Sequence, residues 1–222
     1  MLTNDPAASV GYYLASYHAG LDSGQLRQGL VSVTNAVESL AGLGDLDTAM
    51  ALSETALSQA RATGWPSVIG LSLYQLGDVM RLLARYDEAR GYLLESLEMM
   101  RAVAGTRNYE QVVGCLGQLA LDQGDATQAL DWFSEFEQHV SRHGEPDSLI
   151  KALRGQASAL MSLGRSVQAC AKAQAALVLA RQSGQVDGQI QALRVLAKLT
   201  RLWPRPGSPR RRARPWSTCG TP

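Results

Sequence analysis

Apolar residues along this chain recur at steps of three and four, the spacing that lays them on one face of a helix. Leu73, Leu76, Met80 and Leu83 are one such set. The pattern predicts helices over Leu71–Leu83, Glu110–Gln123 and Leu149–Leu163. Each is closed by a small residue, and Gly44, Gly124 and Gly164 stand where a helix C-terminus needs a left-handed backbone. A second helix follows each break, with Asp47, Asp87 or Thr127 near its start as N-terminal capping favours. It runs to the next break at Gly64, Gly144 or Gly184.

These helix pairs repeat with a fixed period. Ala49, Ala89, Ala129 and Ala169 are spaced by 40 residues, as are Gly44, Ala84, Gly124 and Gly164, and Gly64, Ala104, Gly144 and Gly184. Val33, Leu73, Val113, Leu153 and Leu193 carry the register into a fifth unit, and so do Val37, Gly77, Gly117, Ala157 and Ala197. The units fall near 25–65, 66–105, 106–145 and 146–185, with a partial one at 186–200. Small residues (Gly77, Gly117, Ala89, Ala129) let the two helices of a pair approach. Large ones (Tyr92, Leu93, Trp132, Phe133) fill the space around that contact. A single pair cannot bury its apolar face, so stacked pairs share a core. The expected fold is an all-α solenoid of antiparallel helix pairs wound into a right-handed superhelix.

Leu76-Gly77, Tyr86, Ala89 and Leu97 resemble the tetratricopeptide signature, and Leu116-Gly117, Gly124, Ala129 and Phe133 repeat it. In the fourth unit Gln156-Ala157 replaces Leu-Gly, while Gly164, Ala169, Ala176 and Leu177 fit. The usual unit is about 34 residues. Units of 40 resemble the sensor regions of bacterial regulators, including those ending in a diguanylate cyclase domain and large transcriptional activators. The resemblance implies a binding module with a concave groove lined by the first helix of each pair. By register the groove holds Asn35 and Glu38, then Tyr74, Asp78 and Arg81, then Gln111, Gln118 and Asp122, then Lys151, Arg154 and Ser158, and finally Gln191, Arg194 and Lys198. It passes from mixed to basic, which favours an acidic protein or peptide segment as partner. The paired asparagines of the family's chaperone-binding carboxylate clamp have no counterpart.

The ends break the pattern. Residues 7–23 align with a second helix whose first helix is missing, which would leave Tyr12, Tyr13 and Tyr17 on an apolar side for a partner, or for self-association through the incomplete terminal repeats. At the other end the helical pattern stops at Thr200. Prolines at 204, 206, 209, 215 and 222 forbid helix. Residues 201–222 hold six of the chain's 21 basic residues and none of its 20 acidic ones, so the formal net charge of +1 conceals a body with 15 basic and 20 acidic residues, or −5. Three readings of this tail stand open: a solvated disordered end, a basic segment for nucleic acid or anionic lipid, and the product of a shifted reading frame in GC-rich DNA. We expect it to make no ordered contact with the repeats.

Composition narrows the function. Hydrophobic residues at 45%, charged at 18% and aromatics at 6% fit a globular helical chain. No apolar run is long enough to span a bilayer. Residues 1–10 lack the pattern of a secretory signal. Cys115, Cys170 and Cys219 are too scattered for a metal cluster or a disulfide framework, which fits a reducing cytoplasm. His139 and His143 lie four apart on a helix, a two-ligand spacing without a third ligand, and read best as cations near a helix C-terminus. No phosphate-binding loop, nucleophile elbow or zinc-protease helix occurs. The expectation is therefore a cytoplasmic protein-interaction or sensor module without catalytic activity or cofactor. The alternatives are a regulatory fragment of a larger signalling enzyme, such as a diguanylate cyclase, and a nucleic-acid binder acting through the tail.

Overall fold

A computed structural model describes residues 6–103, 106–143 and 146–202. Ten α-helices and no strand occur among the described residues: α1 Pro6–Asp22, α2 Leu26–Leu43, α3 Leu46–Thr63, α4 Pro66–Leu82, α5 Tyr86–Val103, α6 Thr106–Asp122, α7 Ala126–His143, α8 Pro146–Ser162, α9 Ser166–Gln182 and α10 Val186–Leu202. The fold is all-α, built of TPR-like helix pairs. It divides into two compact units, Met1–Cys115 and Leu116–Pro222.

The first helices start about four residues before the expected Leu71, Glu110 and Leu149. For α4 and α8 the reason is proline. Pro66 occupies the first turn of α4, and Pro146 is the first residue of α8. Proline's fixed φ suits that position, and its missing N–H would have had no intrahelical partner there. The second helices are capped two residues earlier than expected. Asp45 accepts a hydrogen bond from the Thr48 backbone N–H (3.3 Å), and Asp125 from that of Gln128 (2.9 Å). Asp47 lies inside the first turn of α3, where its charge complements the helix dipole. At the last helix, Arg201 and Leu202 remain helical rather than joining the tail. Proline first enters at 204, so nothing before Trp203 forbids helix. The tail readings, and the expectation that residues 203–222 make no ordered contact, fall outside the described residues.

The breaks between helices follow the glycines. Gly44 has φ 85°, Gly124 82° and Gly164 71°. Ala84 fills the same place with φ 58°, the one positive value among the described non-glycine residues.

Within the first unit, α1 and α2 run antiparallel with their backbones in contact. A Cβ on Gly20 would lie 2.8 Å from the Gly29 backbone, and the Ser16 and Ser32 hydroxyls bond at 2.9 Å. In α4–α5, a Cβ on Gly77 would lie 2.8 Å from Leu93 Cγ and 3.3 Å from the Ala89 carbonyl. The buried Ser96 hydroxyl donates to the Gly70 carbonyl at 2.7 Å. Tyr17, Leu30, Val33, Ala56, Ala60 and Val68 form one core cluster, and Val37, Leu40, Ala49 and Val79 another. Tyr17 is thus covered, its hydroxyl donating to Gln59 Oε1 at 2.7 Å, whereas Tyr12 is 73% exposed. Of the three tyrosines expected on an open side, only Tyr12 is strongly exposed.

In the second unit, Phe133 plays the part of Leu93. A Cβ on Gly117 would meet its ring at 2.9 Å and one on Gly155 would overlap it, so the ring is clamped between α6 and α8. Ala157, Leu160, Ala169, Ala173, Val195 and Leu199 make the core beside it. Leu193 of the last helix is 47% exposed, with Val186 and Ile190 also on the surface.

Two stability effects follow. Ala129 is fully buried at the repeat's small position. Ala129→Leu should overpack it and cost about 1–3 kcal/mol, read as a lower denaturation midpoint. An unchanged midpoint would contradict the packing account. Ala84→Gly should do the reverse. It removes a left-handed penalty of about 1–2 kcal/mol, partly offset by the greater freedom of glycine in the unfolded chain. A rise in melting temperature of a few degrees is expected, corresponding to about 0.5–1 kcal/mol.

Candidate functional site

The positions chosen by register belong to the first helices α2, α4, α6, α8 and α10. In the first unit, Asn35, Tyr74, Asp78, Arg81 and Gln111 are half-buried and Glu38 is exposed. Several of them meet. Asp78 Oδ1 accepts from Arg81 Nε at 2.8 Å and pairs with Nη2 at 2.8 Å. The same oxygen accepts from the Cys115 thiol on α6 at 3.1 Å. Tyr74 lies one turn before Asp78. Burial pushes its phenol well above the ordinary 10.0, and the negative charges of Asp78 and Glu38 push the same way, with Arg81 opposing. Asp78 and Arg81 of α4 and Cys115 of α6 therefore form one hydrogen-bonded cluster, with the Tyr74 phenol buried one turn away and the negative charge of Glu38 on α2 acting on that phenol.

Cys115 is the member of this cluster that the repeat register does not place among the groove positions. It is a buried free thiol, and burial raises its pKa well above the ordinary 9.0, with Asp78 adding to the shift. It is held as a neutral donor to a carboxylate rather than as a nucleophile. Its register partners, Asn35 and Gln75, are polar, and that was the available signal. Cys170 is half-buried on α9, and the His143 side chain lies outside the described residues.

In the second unit, Gln118 and Asp122 are exposed and joined, Gln118 Nε2 donating to Asp122 Oδ1 at 2.8 Å. Lys151 pairs with Asp147 at 2.7 Å on the surface. Arg154 is half-buried. Burial lowers its pKa against the pull of Asp147, and its Nε is shut away from water with no hydrogen-bond partner. Ser158 and Gln191 are half-buried, and Arg194 and Lys198 are exposed. The basic positions thus differ in kind: Arg154 is a desolvated cation, Lys151 is paired, and Arg194 and Lys198 are solvated.

The other side of α8 holds a polar cluster that the register did not single out as a site. Gln156 is two residues from both Arg154 and Ser158, so at 3.6 residues per turn it faces the opposite way. It is 2% exposed. Its Nε2 donates to Glu137 Oε2 at 2.7 Å and to the Phe133 carbonyl at 3.2 Å. Lys172 Nζ donates to both Glu137 oxygens at 2.9 Å. This chain of contacts joins α7, α8 and α9.

No family model and no curated protein matches the sequence. Solved structures do match the fold. The chain is similar to BtubC (BKLC) from P. vanneervenii, with a TM-score of 0.58 at 18% identity over 94% of both chains. It is similar to a Rap protein complexed with competence and sporulation factor, with a TM-score of 0.61 at 15% identity, covering 89% of this chain and 59% of that one. A third is a kinesin light chain from Podospora anserina with nearly identical TPR-like repeats, at a TM-score of 0.51 and 13% identity over 90% of this chain and all of that one. At such identities the likeness establishes a TPR-like helical repeat fold. No helix among the described residues is long and apolar enough to cross a membrane.

The shifted Tyr74 pKa has a measurable consequence. A phenol whose folded pKa is raised keeps its proton where the unfolded chain has released it. Its contribution to stability is whole below about pH 10 and is lost above it. The melting temperature of the wild type should fall more steeply than that of Tyr74→Phe between pH 9.5 and 11.5. Parallel curves would show that Tyr74 is not withdrawn from water.

Proposed function

We propose that this protein is an interaction module that holds an extended segment of a partner protein against the inner face of its first helices, as the sensor part of a cytoplasmic bacterial signalling protein, without catalysis of its own. The observation that carries the reading is the cluster of Tyr74, Asp78, Arg81 and Cys115 across two successive first helices, with Glu38 of a third acting on the Tyr74 phenol. An inner face built only to pack would be apolar or fully solvated. This one keeps Tyr74, Asp78 and Arg81 half-buried and ties Asp78 to Cys115 of the next first helix, so polar groups within reach of a partner segment are held in fixed positions. The fold likeness to a Rap protein complexed with competence and sporulation factor supports the same reading.

In the second unit the inner face is basic, and the segment it prefers is acidic. Arg194 and Lys198 carry that preference, since both are exposed and form no ion pair among the described residues. Arg154, half-buried between Lys151 and Ser158 on α8, adds a third positive charge to the same face. A glutamate-rich fluorescent peptide is therefore expected to bind more tightly than its lysine-rich counterpart. The double variant Arg194→Glu with Lys198→Glu, whose sites are solvated and should leave folding intact, should lower that affinity at least tenfold and flatten its salt dependence. Equal binding of both peptides by the wild type would overturn the acidic preference.

A further inference from the structure

Three positions that are apolar elsewhere in the repeat have become polar together. Glu137 stands where other units have Leu57, Leu97 and Leu177. Gln156 stands where they have Leu76, Leu116 and Leu196, and Lys172 where they have Leu52, Tyr92 and Trp132. These replacements are not scattered. They form the hydrogen-bonded chain described above, and all three line one open cleft of about 630 Å³ between α7, α8 and α9.

The replacements do not serve packing. Gln156 Oε1 is buried without a hydrogen-bond partner. The amide cannot be turned round to relieve this, because both neighbours of Nε2, the Phe133 carbonyl and the Glu137 carboxylate, are acceptors only. Lys172 and Glu137 are half-withdrawn from water, with side-chain exposures of 35% and 28%. A partly buried polar group of this kind lowers stability relative to the leucines the other units use. A repeat that gives up its apolar residues at three touching positions, and leaves an open cleft beside them, has the composition of a ligand site.

The lining defines the ligand. Leu130, Leu153 and Leu160 supply the apolar part. Lys172 and Arg165 bring two positive charges against the single negative charge of Glu137, so the site carries a net charge of +1. Arg165 is exposed and forms no ion pair among the described residues.

We propose that this cleft binds a small amphipathic carboxylate, its hydrocarbon chain on the leucines and its carboxylate at Lys172 and Arg165. The volume suits a molecule of that size rather than a folded partner. Because the cleft faces away from the inner face of α8, the inference stands or falls independently of the reading given under Proposed function.

The test uses the full chain and isothermal titration calorimetry with sodium octanoate and, as an uncharged control, octan-1-ol. Octanoate should bind one to one and at least tenfold more tightly than octanol. Lys172→Met should remove most of that preference. Since this change leaves Glu137 unpaired and could unsettle the fold, a second variant restores the repeat: Glu137→Leu, Gln156→Leu and Lys172→Leu together. It should melt higher than the wild type and bind octanoate at least tenfold more weakly. The proposal is overturned if octanoate does not bind the wild type at millimolar concentration, if octanol binds equally well, or if the repeat-restored variant binds octanoate as the wild type does.

Discussion

The close approach of paired helices at their small residues is the constraint on which the rest of this structure depends. Where Gly20 meets Gly29 there is no room even for a methyl group, because the neighbouring atoms are backbone and cannot turn aside. Gly77 is filled by Leu93, and Gly117 by Phe133. The last two contacts make the same exchange of volume, a missing side chain on one helix for a large one on the next. Helices held this closely share one buried seam. Other faces of the first helices are thereby left free to carry polar residues, which is where Tyr74, Asp78 and Arg81 stand.

This logic made most of the fold legible in the sequence. The glycines that end helices and the alanines that permit contact recur at 40 residues because every unit solves the same packing problem. Proline at the first helical turn accounts for the early starts of α4 and α8, whereas α6 starts early without one. The candidate site was legible in part. Register places Asp78 and Tyr74 correctly on a first helix, but it cannot show that a thiol 37 positions later reaches the same carboxylate. Nor does register distinguish a solvated Arg194 from a desolvated Arg154, since that difference lies in what surrounds each side chain. Glu137 and Lys172 were visible as departures from the repeat, yet only Gln156 stands out when the signature motif alone is compared.

Polar replacement in a repeat has two very different outcomes here. On α4, Asp78 satisfies Arg81 and Cys115 at once, so that cluster is largely self-consistent. Around Gln156 the network closes on Glu137 and Lys172 but leaves one amide oxygen unmatched. A mutually satisfied cluster adds rigidity, whereas an unmatched buried oxygen lowers stability.

The contacts between elements run from each helix to those one or two places along the chain. Closing such contacts requires only short loops, so little chain entropy is lost before the first favourable packing forms. Folding within each unit is therefore expected to be rapid and to begin at any helix pair. Opening is local in the same way: one helix pair can come apart without disturbing pairs further along the chain, so amide protons exchange and a protease gains entry pair by pair rather than all at once.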